Sequence, residues 1–342
     1  MAALVVAGVL AAQGSALAVV PQPRDITAFA CPSGQVPEDG FGDVAPANLH
    51  EAAIDCVAWY GVSQGTTLVS YDPSRPVRRE QMATFIANLV DFVAERTPAT
   101  DGLPPAPPAN EFPCDVAPGS THYASIQRLG AAGIVKGTGS SSAGECFDPG
   151  GIVTRGHMAS FLANAQASLG QAVPATTTNF YADDDASVHA ASIDAITAER
   201  IATGTGTNAS GADVYSPALE VRRDQMAAFL ARKLDRLIDT TTAEPPAHAT
   251  VVVTPTTVAA GGTLSVSITA SRGLVDNAEA SGCGGATQAE SFGNPGPTLT
   301  FDVTVPTTQA GRSCTLVVRT TLEDASTGES RVQRDSVQMT VS

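Results

Sequence analysis

The feature that most constrains this chain is an internal repeat: residues 41 to 92, 112 to 169 and 180 to 238 carry one pattern three times. A histidine and an isoleucine four residues later recur as His50/Ile54, His122/Ile126 and His189/Ile193. Fifteen residues after each histidine stands Gly-Thr, at Gly65-Thr66, Gly137-Thr138 and Gly204-Thr205. A variable loop leads to an aromatic-x-Pro: Tyr71-Asp72-Pro73, Phe147-Asp148-Pro149 and Tyr215-Ser216-Pro217. Six residues on is an arginine, then a methionine and a phenylalanine at steps of three: Arg79/Met82/Phe85, Arg155/Met158/Phe161 and Arg223/Met226/Phe229. Length varies only in the loop, where a repeat tolerates insertion.

Each copy reads as two helices. From His50 to Tyr60, Ala53, Ile54, Val57 and Ala58 share one helical face, and Gly61 supplies a left-handed stop. From about Glu80 to Arg96, Met82, Phe85, Ile86, Leu89 and Val93 form an apolar stripe of helical period. Thr154 occupies the N-cap of the second copy, where the others have Arg78 and Arg222. One such pair has too little apolar surface to fold alone, so neighbouring copies must stack their stripes together.

Phe41-Gly42-Asp43-Val44, the turn Gly133-Ile134-Val135-Lys136-Gly137, the aromatic-x-Pro and Val153-Thr154-Arg155 together resemble the S-layer homology (SLH) domain. The resemblance covers about 200 of the 342 residues. It implies a mostly helical pseudo-threefold trimer of repeats that anchors exported proteins to an anionic, often pyruvylated, secondary cell-wall polysaccharide. Carried across by position, the family's glycan-binding arginine falls on Arg79, Arg155 and Arg223. The resemblance adds, as further glycan-binding candidates, the family's early aspartate, at Asp43, Asp115 and, after a one-residue gap, Asp183, and its loop glycine, at Gly65, Gly137 and Gly204. The family's Thr-Arg-Ala-Glu motif reads Arg78-Arg79-Glu80-Gln81, Thr154-Arg155-Gly156-His157 and Arg222-Arg223-Asp224-Gln225, so its glutamate is replaced in all three copies. The aromatic beside the histidine is kept only as Tyr123.

Arginine suits this task because its planar fork matches a carboxylate, such as that of a pyruvyl ketal. At a helix start it adds to the positive dipole end and the unpaired N–H groups. The same side chain can instead tie the loop to the helix by bonding carbonyls or the early aspartate. A metal site made of His50, His122 and His189 is disfavoured, because each opens a helix four residues before a core isoleucine, a place for a capping or groove-lining side chain. Asp183-Asp184-Asp185 lacks the alternating ligands of a calcium loop and reads as a solvated turn. No hydrolase elbow, zinc-protease or phosphate-loop motif occurs, which argues against an enzyme, and no cofactor is implied.

The 34 acidic against 19 basic residues leave a net charge of −15, which argues against nucleic acid as a partner. The six cysteines fall into local pairs, Cys31 with Cys56, Cys114 with Cys146 and Cys283 with Cys314, one per module, and suggest disulfides in an oxidising compartment. Each would close a loop whose constraint is worth about 3 kcal/mol. Residues 1–18, with an apolar run and the small-x-small Ala16-Leu17-Ala18, read as a secretion signal, and no later stretch is long enough for a transmembrane anchor.

The expected organisation is the signal at 1–18, repeats at 31–96, 111–170 and 179–238, a Pro-rich linker at 97–110, a second linker at 239–248 and a β-module at 249–342. In the last of these, Leu264, Val266, Ile268, Leu299, Phe301 and Val303 alternate with polar residues, as in an immunoglobulin-like sandwich. That module is a spacer or a binder of surface proteins. The primary expectation is a secreted, non-enzymatic anchor at the cell wall. The alternatives are a secreted wall enzyme or accessory that the repeats localise, and repeats that bind a protein rather than a polysaccharide.

Overall fold

The computed structural model describes residues 17–33, 36, 41–67, 69–97, 102–239, 249–271, 273–283, 286–323 and 330–342. The repeats form six helices: α1 (Glu51–Trp59), α2 (Arg79–Glu95), α3 (Tyr123–Ala131), α4 (Arg155–Ser168), α5 (Ala190–Ala198) and α6 (Arg223–Asp239). The loops of the second and third units each carry a small antiparallel ladder, β1 (Gly139–Ser141) with β2 (Gly144–Cys146), and β3 (Gly206–Thr207) with β4 (Asp213–Val214). The stripe read from the sequence is buried in α2, with Met82, Phe85, Ile86, Leu89 and Val93 all in the core. Gly61 and Gly133 end α1 and α3 at φ 68° and 69°; in the third unit Arg200 takes that conformation at φ 65°, where a side chain is strained.

The three units close on one another in a ring. The long helices α2, α4 and α6 touch mutually at the centre, while each short helix packs on the long helix of the preceding unit, α3 on α2, α5 on α4 and α1 on α6. The segments before the long helices meet in a cyclic trio of backbone bonds, Val77 N–H to Val221 O, Val221 N–H to Val153 O and Val153 N–H to Val77 O, each 2.9 Å. One apolar core runs through all three units. No unit completes its own core, as the short amphipathic pairs require.

The chain before the first repeat takes part as well. Residues 17–31 strap the third unit to the first: Ala18 N–H bonds Asn179 O, and Arg24 N–H bonds Arg200 O. The Arg24 guanidinium pairs with Asp235 at 2.5 Å and Asp239 at 2.6 Å. Asp235, on α6 and fully buried, also accepts from the amides of Phe29 and Ala30 at 2.8 Å. The strap ends at the Cys31–Cys56 disulfide to α1. The expected signal lies outside the described residues except for Leu17 and Ala18. The Pro-rich stretch expected as a linker is fastened where it is described: Leu103 is buried, and Arg128, paired in both branches with Asp91 at 2.7 Å, donates to the carbonyls of Leu103 and Pro104.

After residues 240–248, which lie outside the described set, come β5 (Ala249–Thr254), β6 (Thr257–Val258), β7 (Thr263–Ala270), β8 (Leu274–Gly282), β9 (Ala286–Gly296), β10 (Thr298–Thr304), β11 (Arg312–Glu323) and β12 (Ser330–Val341). They form a three-stranded sheet, β10-β7-β5, and a five-stranded sheet, β6-β12-β11-β8-β9, which share a second core. The alternating positions Leu264, Val266 and Ile268 on β7 and Leu299, Phe301 and Val303 on β10 are buried, as their period predicts. The Cys283–Cys314 bridge joins the neighbouring strands β8 and β11 within one sheet rather than crossing between sheets.

Because Asp235 is a buried charge with three donors supplied by the strap, Asp235→Ala is expected to lower stability by about 3 kcal/mol in urea unfolding. Arg24→Ala, which removes only the partly exposed partner, should have the smaller effect.

Candidate functional site

The structure places the three repeat arginines at three separate junctions between units. Arg79, at the start of α2, donates from Nε to Phe147 O at 2.9 Å and from Nη2 to Lys136 O at 3.2 Å, both in the second unit's loop. Arg155 makes the same two bonds into the third unit, to Tyr215 O at 2.8 Å and Thr203 O at 2.6 Å. Arg223 returns to the first, to Tyr71 O at 2.6 Å and Gln64 O at 3.1 Å. Each guanidinium lies over the ring of that loop's aromatic, at 4.5 Å for Phe147, 4.3 Å for Tyr215 and 4.6 Å for Tyr71, with a helix phenylalanine (Phe161, Phe229, Phe85) near its other side. Burial pulls the Arg79 and Arg223 guanidinium groups down from the usual arginine range. These bonds are the loop-tying role anticipated as the alternative to glycan binding, here made between units.

The aspartates are turn-holders. Asp43 accepts from the amides of Tyr71 and Asp72, Asp115 from Phe147 and Asp148, and Asp183 from Tyr215 and Ser216, at 2.7 to 2.8 Å. They fix the turn whose second residue has φ near 58° in all three copies, at Asp72, Asp148 and Ser216. The glycines lie where a Cβ would strike chain: 2.6 Å from Ser70 O at Gly65, 2.8 Å from Cys146 O at Gly137 and 2.8 Å from Val214 O at Gly204.

The expected contribution of free amides at the helix starts does not hold. The Arg79, Arg155 and Arg223 amides donate to Gly151 O, Leu219 O and Arg75 O, and the next amide in each helix bonds Pro149 O, Pro217 O or Pro73 O. The neighbouring unit has already used the donors an anion would need. The motif's lost glutamate is replaced as a capping acceptor: Arg78 N–H bonds Gln81 Oε1 at 3.1 Å, Arg222 N–H bonds Gln225 Oε1 at 3.2 Å, and Thr154 and His157 cap each other at 3.3 Å. Thr154 is thus the N-cap read from the sequence.

The α4–α5 junction holds a cavity of about 630 Å³. Arg79 and the turn Ile134–Thr138 form one wall, His157, Ser160, Phe161 and Asn164 of α4 another, and Val188 with His189 a lip. None of these is acidic. Lys136 lines this groove and is exposed, as is Val188, which stands almost fully exposed. The His157 ring meets His189 edge to face at 5.2 Å; burial, the Arg79 charge and His189 push His157 down to about 4, and burial lowers His189. Both are therefore neutral hydrogen-bonding groups at neutral pH. His189 Nδ1 bonds Ser160 at 2.8 Å, as His122 Nδ1 bonds Thr84. Sequence reasoning passed over Lys136, His157 and Asn164; the signal was that 136 and 157 are among the positions where the copies disagree.

The three repeat histidines sit in different junctions, which agrees with the reading against a shared metal site. Among the described residues, the one cluster with metal-ligand atoms is Cys114, Asp115 and Cys146, and its cysteines are bridged to each other. Cys31–Cys56, Cys114–Cys146 and Cys283–Cys314 are paired as expected. In the acidic triplet, Asp183 holds the turn, Asp185 accepts from Asn179 at 2.7 Å, and Asp184 is 1% exposed with neither carboxylate oxygen hydrogen-bonded. This corrects the solvated-turn reading for Asp184. Burial, with the nearby Asp194, pushes it up to about 6.

Two outcomes follow from this geometry. Arg223→Ala should lower stability by about 3 kcal/mol, read by urea unfolding, because it leaves two buried carbonyls unmatched, and Arg223→Lys should recover little, since an ammonium cannot span both. Asp184 binds its proton more tightly folded than unfolded, so its ionisation subtracts stability as pH rises from about 4 to 6. Asp184→Asn should therefore raise the melting temperature at pH 7.5, by an amount equivalent to about 2 kcal/mol, with the gain vanishing below pH about 4.

No curated protein matches the chain. Among solved structures, an engineered protein is 15% identical, with 54% of this chain and 45% of its own covered and a TM-score of 0.20. The endo-beta-1,4-mannanase of Thermotoga petrophila is 12% identical over 85% of this chain and 71% of its own, TM-score 0.22. A nucleoside hydrolase-related protein of Saccharophagus degradans, described as associated with carbohydrate metabolism, is 13% identical over 85% and 69%, TM-score 0.23. The chain thus spans less than half of the first of these, and at such scores none carries an argument about fold or activity. The S-layer homology domain model matches residues 115–159, from the turn-holding Asp115 through the cap and arginine of α4. The second helical unit therefore carries a match to the SLH domain.

Proposed function

We propose that all three helical units are SLH repeats, that together they form the family's pseudo-threefold trimer, and that they hold an exported protein to a bacterial cell wall by binding an anionic polysaccharide. The observation that carries this reading is the α4–α5 groove: on a chain of net charge −15, it presents Arg79 and Lys136 with no carboxylate among its lining residues. A local positive field in a recess is what an acidic sugar requires, and the neutral His157, Ser160 and Asn164 supply the donors and acceptors that sugar hydroxyls use. Phe161 and Val188 provide apolar surface for the carbon face of a sugar or the methyl of a pyruvyl ketal.

Arg79 is committed to the loop through Nε and Nη2, so the free donors it offers the groove are its remaining guanidinium N–H groups. Lys136 is the adjustable partner: its carbonyl is held by Arg79 while its ammonium is exposed. The β-module reads as an immunoglobulin-like spacer that projects from the wall, and the chain as non-enzymatic. Attachment is non-covalent; among the described residues no helix is long and apolar enough to cross a membrane.

The test uses purified wall and the full chain. Lys136→Ala, which leaves the buried bonds of the ring in place, is expected to weaken retention about tenfold, and wall stripped of its anionic polymer should retain little protein. Undiminished retention on stripped wall would overturn the polysaccharide reading in favour of a protein receptor. Hydrolysis of wall glycan by the full chain would overturn the non-enzymatic one.

A further inference from the structure

The three junctions are built on one plan but differ where their side chains face a ligand. Nine residues into each long helix stands Asn88, Asn164 or Arg232, and each reaches the matching carbonyl of the turn it packs on: Asn88 Nδ2 to Val62 O at 3.2 Å, Asn164 Nδ2 to Ile134 O at 2.9 Å and Arg232 Nη1 to Ile201 O at 3.3 Å. In the α6–α1 junction the place of a neutral amide is thus taken by a second guanidinium. Arg155 holds Thr203 O, two residues from the carbonyl that Arg232 holds, so the two forks grip one short stretch of chain. They are close enough that the Arg155 charge, along with burial, pulls Arg232 down.

Among the described residues neither Arg155 nor Arg232 has a carboxylate partner. Asp224, whose charge acts on His50, is taken at both oxygens by Arg222, at 3.1 and 3.2 Å. A third difference frees a further donor. Where Thr84 and Ser160 tie the Nδ1 of His122 and His189, the long helix of this junction has Ala228, and the ring of His50 makes no hydrogen bond among the described residues. His50 feels the Arg232 and Arg222 charges, which push it down, and Asp224, which pushes it up, while burial lowers it most.

We infer that Arg232, with Arg155 and His50, makes the α6–α1 junction a separate site for a tetrahedral, phosphate-type oxyanion. Two guanidinium groups and an imidazole, supplied by the starts of α4 and α1 and the body of α6, offer more donors than the two oxygens of one carboxylate use. A tetrahedral anion has oxygens for all of them, and arginine forks suit it. Lys136 lines the α4–α5 groove instead, and the matching positions of the α2–α3 junction hold Gln64 and Asn88. The inference rests on the reading that these junctions meet acidic wall polymer, and it names phosphate as the chemistry that one of them selects. The phosphate belongs to a polymer chain or to a free sugar phosphate; the chemistry at the site is common to both.

The full chain is titrated with inorganic phosphate and, separately, with pyruvate, while the imidazole resonances are followed by NMR. Phosphate is expected to shift the His50 signal saturably and to leave His122 in place. Arg232→Asn, which installs the residue found at positions 88 and 164, should weaken that response about tenfold without moving the melting temperature by more than a few degrees. Pyruvate should move His157 and His189 equally in both proteins. Asn88→Arg should give His122 a phosphate response it otherwise lacks. A phosphate response at His50 that survives Arg232→Asn, or pyruvate bound there as tightly as phosphate, overturns the inference. Silence of His157 and His189 toward pyruvate, with His50 still answering phosphate, would instead count against the acidic-glycan reading of the α4–α5 groove and leave this site standing. Competition by glucose 1-phosphate against that by a purified phosphate-bearing wall polymer then distinguishes the two sources: tighter binding of the polymer supports a role in attachment, and tighter binding of the sugar phosphate overturns it.

Discussion

The helical part of this molecule depends on a guanidinium that each unit lends to the next. Arginine is needed there because its rigid fork can meet two carbonyls at once, for example Phe147 O and Lys136 O, while the flat face stacks on an aromatic ring. An interior charge is tolerated because hydrogen bonds and ring faces stand in for the water it loses. Since the last unit returns its arginine to the first, the loops and helix starts of all three units are fixed by one cyclic set of contacts.

That arrangement changes what the helix starts can offer a ligand. Their leading amides are satisfied by carbonyls of the neighbouring unit, so the dipole end is already answered by protein. On the proposed reading, recognition therefore rests on side chains at the junctions: the unused N–H groups of the arginines, and residues such as Lys136, His157 and Arg232 that differ from copy to copy. Replacing the family's cap glutamate by Gln81, His157 and Gln225 keeps the capping bond while removing negative charge from beside the arginine. On a strongly acidic chain, no carboxylate stands among the residues that line the α4–α5 groove.

The differences between copies also separate architecture from recognition. Positions that hold the ring together are identical in all three copies or keep their chemical type: the arginine, the turn aspartate, the glycine under the returning chain and the aromatic. Positions facing the junctions are not: Lys136 against Gln64 and Thr203, Ser160 against Thr84 and Ala228, and Asn164 against Arg232. A ring of repeats binds a ligand identically at each junction only if the second set agrees as well as the first.

Helix pairs, their buried stripes, the strand alternation of the β-module and the three disulfides were all legible in the sequence, because each follows from local periodicity or from the count of one residue type per module. The internal repeat revealed in addition that the units had to stack. What the order of residues left open was the partner of each side chain. Arg79, Arg155 and Arg223 could be singled out by position, yet whether they faced ligand or loop depended on chain folded back from the next unit, up to 159 residues away. Likewise nothing local marked residues 17–31 as a strap or Asp184 as a buried, unpartnered carboxylate. Periodicity is a property of neighbours along the chain, and so the sequence alone determined the elements and their apolar faces. Desolvation and hydrogen-bond pairing are properties of neighbours in space, and only the tertiary structure decided which charges became ring-builders and which were left free to bind.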